Sequence, residues 1–195
     1  MSDTKKHINV YQQIITSGRI VIASMTICCL LYGLALLSFG RLVMQDSADG
    51  SLILNDHKET IGSELIAQGF TRPEYFWPRP SAVAYNASAS AGSNFSPTNP
   101  ALRHRAEAII TKMEAKAGNP IPADLVSASG SGLDPHITLA AARYQAARVA
   151  AARGLSDALV MGLLEKSAKS PGGPLTPDPV VNVLLINMAL DRLKK

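Results

Sequence analysis

The chain has 195 residues, of which 47% are hydrophobic, 17% are charged and 5% are aromatic, and its formal net charge is +4. A disordered chain would be polar and highly charged, and a disulfide scaffold would need more than two cysteines, so the composition excludes both classes. The length allows one domain with an adequate core and a separate membrane anchor.

The excess positive charge lies at the N-terminus. Residues 1–41 contain four cations and one anion, whereas residues 42–195 contain 15 cations and 14 anions. The chain after residue 41 therefore carries a net charge of only +1. Nucleic-acid binding would need lysines and arginines clustered on one face of the domain, so the pI of about 9.2 does not indicate that kind of partner.

An uncharged stretch at residues 20–40 predicts a transmembrane helix. As a helix its 21 residues would reach about 31 Å, which is enough to cross a hydrocarbon core about 30 Å thick. The alternative is a cleaved signal peptide, but the apolar region of such a peptide is usually about 7–15 residues long. The sequence therefore favours a retained single-pass anchor.

The flanking charges predict the orientation of this anchor. Three lysines or arginines precede the span and two follow it: Lys5, Lys6 and Arg19, then Arg41 and Lys58. By the positive-inside rule, residues 1–19 form a cytoplasmic N-terminal tail and residues 41–195 form an extracytoplasmic domain. Cys28 and Cys29 both lie in the span, so this domain has no cysteine, which suits an oxidising compartment.

The first half of the domain carries mixed signals. Residues 51–54 are apolar and predict a short strand or the end of the anchor. Apolar residues then recur at the spacing of a helix: Ile61, Leu65, Ile66 and Phe70. An aromatic cluster at residues 75–77 is followed by Pro78 and Pro80, which exclude a helix there. Residues 81–98 have the composition of a flexible linker.

The second half of the domain is mostly helical by its capping residues and apolar periodicity. Asn99 and Pro100 begin a helix that ends at Gly118, and residues 125–126 predict a short strand. The apolar face of that helix is Leu102, Ala106, Ile109, Ile110, Met113 and Ala117. The later helices run from a cap at Thr138 through Arg153 to Gly154, from Ser156 or Asp157 to about Lys169, and from Asp178 and Pro179 to Leu193.

The predicted fold is a single N-terminal transmembrane helix followed by one mostly helical α+β extracytoplasmic domain. Its residues 78–100 form a loop rich in Pro, Ser, Gly and Asn. Such a domain has few charges and many small residues, which suits close packing against a partner.

The segment at residues 127–136 is the most site-like part of the sequence, because Asp134 and His136 are residue types used in acid–base catalysis. The specific motifs are absent, however. No Lys-Ser/Thr pair follows Gly132 as in a phosphate-binding loop, and the sequence has no G-x-S-x-G or H-E-x-x-H pattern. We therefore predict no catalytic or metal-binding residue and expect His136 to bond a nearby turn. The alternative is a membrane-tethered external hydrolase or ligand-binding module that uses Ser131, Asp134 and His136.

Two other sets of side chains have a structural interpretation. Arg143, Arg148 and Arg153 recur every five residues, which spreads them around a helix and predicts a solvated face. The aromatic cluster at residues 75–77 belongs to the core in a domain so poor in aromatic residues, or else it is an interface anchor.

Longer motifs follow one another in order along residues 51–191. They are Arg79-Pro-Ser-Ala82, Tyr85-Asn86, Gly92-Ser93-Asn94, Pro97-Thr-Asn-Pro100, Asp124-Leu-Val126, Ser129-Gly-Ser-Gly-Leu-Asp-Pro-His136, Gln145, Arg148-Val-Ala150, Arg153-Gly154 and the tail from Val181 to Asp191. Together with one N-terminal span, this arrangement resembles the C subunits of bacterial Kdp potassium-transporting P-type ATPases. The chain departs from that pattern at Ala91, Phe95 and Ser96, which affects only the shape of one loop.

The resemblance implies a non-catalytic accessory subunit of an ATP-driven potassium uptake pump in the bacterial inner membrane, with its main domain in the periplasm. The implied partners are a channel-like potassium-binding subunit, the P-type catalytic subunit and a small single-span subunit. By the same resemblance, the accessory subunit would stabilise the complex and raise the ATP affinity of the catalytic subunit. Gln145 is the residue that matches a glutamine implicated in this effect. We expect no cofactor or metal to be bound directly, so ATP would act through the catalytic subunit.

The resemblance also marks candidate interface residues. They are Arg79, Asn86, Ser93, Asn94, Pro97, Asn99, Pro100, Ser129, Gly130, Gly132, Asp134, His136 and Arg148. Most lie in two segments, residues 79–100 and residues 129–136. We expect the loop at residues 81–100 to be ordered and to contact the channel-like subunit.

Overall fold

The computed structural model describes residues 9–55, 57–115, 118–175 and 178–193. The chain divides into two compact units, the first ending at Ser51 and the second beginning at Leu52.

The first unit is built on one long apolar helix, Val10–Val43. Its ends are the α-helices α1 (Val10–Met25) and α2 (Tyr32–Val43), and between them lies a π-helical stretch, Thr26–Leu31. Asn9 caps α1 by accepting a hydrogen bond from the backbone N–H of Tyr11 at 3.2 Å. The prediction of one helix able to cross a membrane is confirmed by length and composition. The helix continues beyond residues 20–40 at both ends, and which part lies in the bilayer stays a prediction.

The second unit mixes helices with short strands. In chain order its elements are β1 (Leu52–Leu54), β2 (Thr60–Ser63), α4 (Pro100–Lys112), α5 (Ala123–Val126), β3 (His136–Thr138), α6 (Leu139–Arg153), α7 (Asp157–Ser167), a 3₁₀ turn (Gly173–Leu175), β4 (Val180–Asn182) and α8 (Val183–Arg192). The short helix α3 (Gln45–Ala48) precedes them in the first unit. The mixed helix and strand content agrees with the predicted α+β class.

The first strand pair corrects a predicted helix. β1 and β2 are antiparallel, with Leu52 opposite Ser63, so of the two alternatives for residues 51–54 the strand is confirmed, over residues 52–54. The helix predicted from Ile61 to Phe70 is wrong, because residues 60–63 pair with β1 and the chain then turns. Gly62 lies in that stretch, and glycine is a poor helix former. A helical spacing of apolar residues cannot reveal a strand partner that lies earlier in the chain.

The second strand pair leads into two helices, one at each end of the pair. β3 and β4 are antiparallel, with Ile137 opposite Val181. Thr138 ends β3 and caps α6 as predicted, and Asn182 ends β4 and caps α8 in the same way. The last helix therefore begins at Val183 and not at Asp178. The β-branched pair at residues 180–181 favours a strand there.

For the remaining helices, the predicted N-terminal ends agree with the structure better than the predicted C-terminal ends. Asn99 caps α4 as predicted, but that helix ends at Lys112, well before Gly118, and Ala117 lies outside the described residues. The strand predicted at residues 125–126 is wrong, because these residues belong to the helical turn α5.

The ends of α6 and α7 show why one boundary was predictable and the other was not. Gly154 ends α6 as predicted with a left-handed φ of 66°. Ser156 caps α7, which ends at Ser167 and not at Lys169. The backbone N–H of Lys169 is instead bonded to the carbonyl of Val180 at 2.9 Å, a strand-like bridge that removes it from the helix.

Helix α6 lies at the centre of the core. It buries alanines and Val149, which lets α7 approach closely. The buried cluster also includes Phe76, Leu125, Ile137, Val160, Leu164, Val181, Ile186 and Leu190. Phe76 is the aromatic residue among these cluster members and is fully buried.

Candidate functional site

Two buried amide side chains hold the backbone of the aromatic cluster. The Phe76 N–H donates to Asn187 Oδ1 at 2.8 Å, and Asn187 Nδ2 donates to the Phe76 carbonyl at 3.0 Å. The Trp77 N–H donates to Gln145 Oε1 at 2.9 Å, and Gln145 Nε2 donates to the Trp77 carbonyl at 3.1 Å. Gln145 is 2% exposed and Asn187 is 1% exposed. Each side-chain amide therefore supplies the two hydrogen bonds that this buried backbone would otherwise need from a neighbouring strand.

The Gln145 side chain makes a third hydrogen bond, to Arg148. Its nitrogen is bonded to Trp77, and its oxygen accepts from both Trp77 and the Arg148 guanidinium, the latter at 2.7 Å. Gln145 lies on α6, and Asn187 lies on α8, so two helices grip consecutive residues of one segment. We call residues 73–77, with the side chains that bind their backbone, the clamp.

Two arginines of α6 complete the clamp, which corrects the predicted solvated face. Arg148 donates to the carbonyls of Pro73 and Tyr75, and Arg153 donates to the Glu74 carbonyl at 2.6 Å and to Asp191 at 2.8 Å. The side chain of Arg153 is only 3% exposed. The spacing of the arginines along α6 predicted that their side chains face solvent. It could not show that residues 73–77 lie across Arg148 and Arg153.

Arg143 is the member of the set that fits the prediction. It is exposed and forms an ion pair with Glu165 on α7 at 2.6 Å. Arg148, by contrast, is half-buried, and burial lowers its pKa to about 10. A guanidinium keeps its charge at that value at neutral pH.

The aromatic cluster divides between the core and its edge. Phe76 and Trp77 are buried, which confirms the core alternative for these two rings, whereas Tyr75 is half-buried. The Trp77 indole N–H donates to the Arg72 carbonyl at 3.0 Å. The guanidinium carbon of Arg148 lies 3.9 Å from the centre of the Trp77 ring, and Lys112 Nζ lies 4.1 Å from it. Both are cation–π distances.

The two segments rich in candidate interface residues fold against each other. The Ser129 N–H donates to the Pro80 carbonyl at 3.0 Å, the Ala91 N–H donates to the Ser131 carbonyl at 3.0 Å, and the Ser81 hydroxyl donates to the Gly132 carbonyl at 2.6 Å. Residues 79–92 and 128–134 therefore form one structure, which we call the loop pair. The composition of residues 81–98 resembles that of a linker, but hydrogen bonds across the loop pair hold the first part of it in place.

Glycine is required at the contact between the two loops. Gly132 has a φ of +70°, and a Cβ on it would lie 2.8 Å from the Ala91 carbonyl oxygen and 2.8 Å from Val83 Cγ2. A Cβ on Gly92 would lie 2.9 Å from the Gly130 carbonyl oxygen. Any side chain at either position would push the loops apart.

Arg79, Asp134 and His136 form a charged cluster at one end of the loop pair. Arg79 lies 3.2 Å from Asp134, and Asp134 Oδ1 accepts from the His136 N–H at 3.0 Å. The His136 ring lies 3.5 Å from the same oxygen. Burial opposes ionisation of Asp134, but the hydrogen bonds from His136 and the charge of Arg79 outweigh it, so the Asp134 pKa lies below its ordinary value. His136 thus bonds a nearby turn, as expected.

The Asp134 pKa predicts how stability changes with pH. Because the folded state holds this pKa below the unfolded value, the carboxylate stabilises the fold above about pH 4 and loses that effect as pH falls through the folded pKa. Asp134→Asn should therefore be less stable than the unmodified chain at pH 7, with a difference that shrinks towards pH 3. Urea denaturation at the two pH values measures this, and a difference that does not depend on pH would contradict it.

The structure does not assemble the triad of the hydrolase alternative in the described part of the chain. The Ser131 hydroxyl is bonded to the Ser129 hydroxyl at 3.2 Å and to the Leu133 N–H at 3.1 Å, and no hydrogen bond joins it to His136. Among the described residues, no group of three histidines, cysteines or carboxylates could hold a metal ion.

The other candidate residues lie outside the hydrogen bonds that join the loop pair. Asn86 caps a turn through Ser88, Asn99 caps α4, Ser93 is half-buried, and the remaining three are exposed: Asn94, Pro97 and Pro100. Residues 86–89 and 93–100 therefore form the outer part of the loop. Sequence reasoning missed Asn187 and Ser81, whose partners are distant in sequence. Both belong to motif segments, but nothing local in the sequence indicates their partners.

Comparison with known proteins gives one consistent match. Residues 14–192 match the KdpC family, described as "K+-transporting ATPase, c chain". A KdpC subunit of a potassium-transporting ATPase from Parvibaculum lavamentivorans is 50% identical over 183 residues, covering 94% of this chain and 98% of the relative. KdpC subunits from Serratia proteamaculans and Myxococcus xanthus are 49% and 41% identical, covering 84% and 93% of this chain and 89% of each relative.

Proposed function

The chain belongs to the KdpC family of K+-transporting ATPase c chains, and we propose that it is the membrane-anchored accessory subunit that stabilises the assembled pump. The observation that carries the proposal is a match over residues 14–192, which includes most of the long apolar helix and nearly all of the domain. Catalysis of ATP hydrolysis would lie in another subunit. The partners would be the P-type catalytic subunit, a channel-like potassium-binding subunit and a small single-span subunit.

The proposed topology places the domain in the periplasm. The helix Val10–Val43 would cross the bacterial inner membrane with its N-terminus in the cytoplasm, as the flanking lysines and arginines indicate. A phosphatase fused after Lys195 should then be active in cells. A fusion that is stable but inactive would contradict this orientation.

The loop pair is the surface that we assign to partner contact. Its inner bonds hold residues 79–92 in one conformation, so the outer residues 86–89 and 93–100 meet a partner without a large loss of conformational entropy. The proposed contact is the channel-like subunit. The lack of charge over residues 86–100, which contain no lysine, arginine, aspartate or glutamate, suits close packing there.

An effect on ATP affinity would act through the partners. Gln145 is buried and bonded to the backbone of Trp77, so in the proposed mechanism it positions the aromatic cluster and does not touch a nucleotide. The clamp would set the shape of the domain surface that the partners meet. A change in that surface would alter ATP affinity as a coupling free energy between separate sites.

Co-purification tests the proposed role. In cells that also express the partner subunits, the affinity-tagged chain should retain large membrane partners, and the isolated chain should not hydrolyse ATP. A chain that purifies alone, or one with turnover of its own that His136→Ala abolishes, would contradict the accessory role and support the hydrolase alternative. Arg143→Ala, an exposed change on α6, is the control and should leave retention unchanged.

A further inference from the structure

Of the two arginines that bind the clamp backbone, Arg153 is paired with Asp191, whereas Arg148 has no carboxylate partner among the described residues. Five arginines of the domain form ion pairs with carboxylates: Arg72, Arg79, Arg103, Arg143 and Arg153. Within the described part of the chain, no carboxylate forms an ion pair with Arg148 or with Lys112. Arg148 is bonded to carbonyl and amide oxygens only, although it is half-buried and charged. The dipoles of carbonyl and amide groups stabilise the charge of a buried cation less than a carboxylate does.

These two cations line an open cleft of about 490 Å³. Lys112 at the end of α4 and Arg148 on α6 both lie within 4.1 Å of the centre of the Trp77 ring. Glu114, Asn119 and Tyr144 also line the cleft. Glu114 is the one carboxylate among the lining residues, and no ion pair joins it to either cation. The residues that line the cleft therefore carry two positive charges and one negative charge, a net charge of +1.

We propose that this cleft receives a carboxylate side chain from a partner subunit of the pump. The inference rests on the proposed function, which supplies the partner. An aspartate or glutamate that enters the cleft brings a negative charge close to Lys112 and to the half-buried Arg148, where a charge-assisted hydrogen bond is strong. The volume lies within the usual range for ligand pockets, about 300–1,000 Å³, so a protruding side chain fits. The Trp77 indole is held by its hydrogen bond to the Arg72 carbonyl, and both cations lie at cation–π distance from its ring.

Zero-length crosslinking of the purified pump tests the proposal. A water-soluble carbodiimide joins a lysine to a carboxylate only when the two are in contact, and mass spectrometry identifies the joined peptides. We expect Lys112 to be joined to an aspartate or glutamate of a partner subunit. Lys112→Arg keeps the positive charge but cannot form the amide, so this product should fall at least tenfold. Lys166→Arg removes an exposed lysine on α7, outside the cleft, and should leave the product unchanged.

A charge reversal gives a second measurement. Lys112→Glu places a carboxylate where the partner carboxylate binds, so retention of this subunit in the purified pump should fall about tenfold, whereas Lys166→Glu should retain it. A Lys112 product formed only with Glu114 or another carboxylate of this chain, or no product, overturns the inference while leaving the accessory role intact. Failure of the unmodified chain to co-purify with partners overturns the accessory role, and the inference with it.

Discussion

Gln145→Ala should lower the free energy of unfolding of the domain by about 3 kcal/mol. The substitution leaves the buried N–H and carbonyl of Trp77 without their partners and opens a cavity beside α6. Trp77 is the single tryptophan of the chain and lies at the site of the change, so its fluorescence reports the transition directly. The measurement is urea denaturation of the full chain in detergent. A loss below about 0.5 kcal/mol would contradict the clamp.

Gln145→Met separates the two contributions. Methionine keeps most of the side-chain volume but forms neither hydrogen bond, so a loss of about 2 kcal/mol should remain. Arg143→Ala on the exposed face of α6 is the matched control and should change stability by less than about 1 kcal/mol. A methionine variant as stable as the unmodified chain would show that the cavity, and not the hydrogen bonding, accounts for the effect of alanine.

The same variants separate positioning from nucleotide contact in the assembled pump. Asn187 holds Phe76 as Gln145 holds Trp77, but from α8. If Gln145 acts through the clamp, Asn187→Ala should weaken apparent ATP affinity as Gln145→Ala does, and both should destabilise the domain. A loss of ATP affinity in Gln145→Ala alone, with unchanged stability, would instead indicate direct contact with nucleotide.

Sequence reasoning succeeded where the cause of a structure is local. The caps at Asn99, Thr138 and Ser156 and the stop at Gly154 depend on side chains within a few residues of the helix end, and all four are confirmed. The long apolar helix is also a local feature, since only its length and composition define it.

The clamp escaped prediction because its contacts are distant in sequence. Gln145 and Trp77 are 68 residues apart, and Asn187 and Phe76 are 111 residues apart. The sequence indicates that Gln145 is notable through the family resemblance, but only the fold shows that it binds a backbone. The solvated face predicted for Arg148 and Arg153 failed for the same reason, because the segment that covers them lies more than 70 residues earlier.

Gly132→Ala should lower the free energy of unfolding by about 3 kcal/mol, because the new methyl group adds a steric clash to a left-handed backbone. The Cβ would lie 2.8 Å from the Ala91 carbonyl oxygen, a backbone atom that moves only if the loop at residues 79–92 moves. We therefore expect the loop pair to separate. Limited proteolysis should then cut within residues 81–100, which should be protected in the unmodified chain.

Gly154→Ala is the matched control for this change. Gly154 has nearly the same φ, +66°, but nothing lies within 4 Å of a Cβ there, so the cost should be only the backbone strain of about 1 kcal/mol. The difference between the two variants measures the contact across the loop pair, free of the strain that both share. If the loop pair forms the partner surface, Gly132→Ala should also reduce retention of the subunit in the purified pump, whereas Gly154→Ala should not. Equal losses of stability in the two variants would mean that the loops do not press together at Gly132.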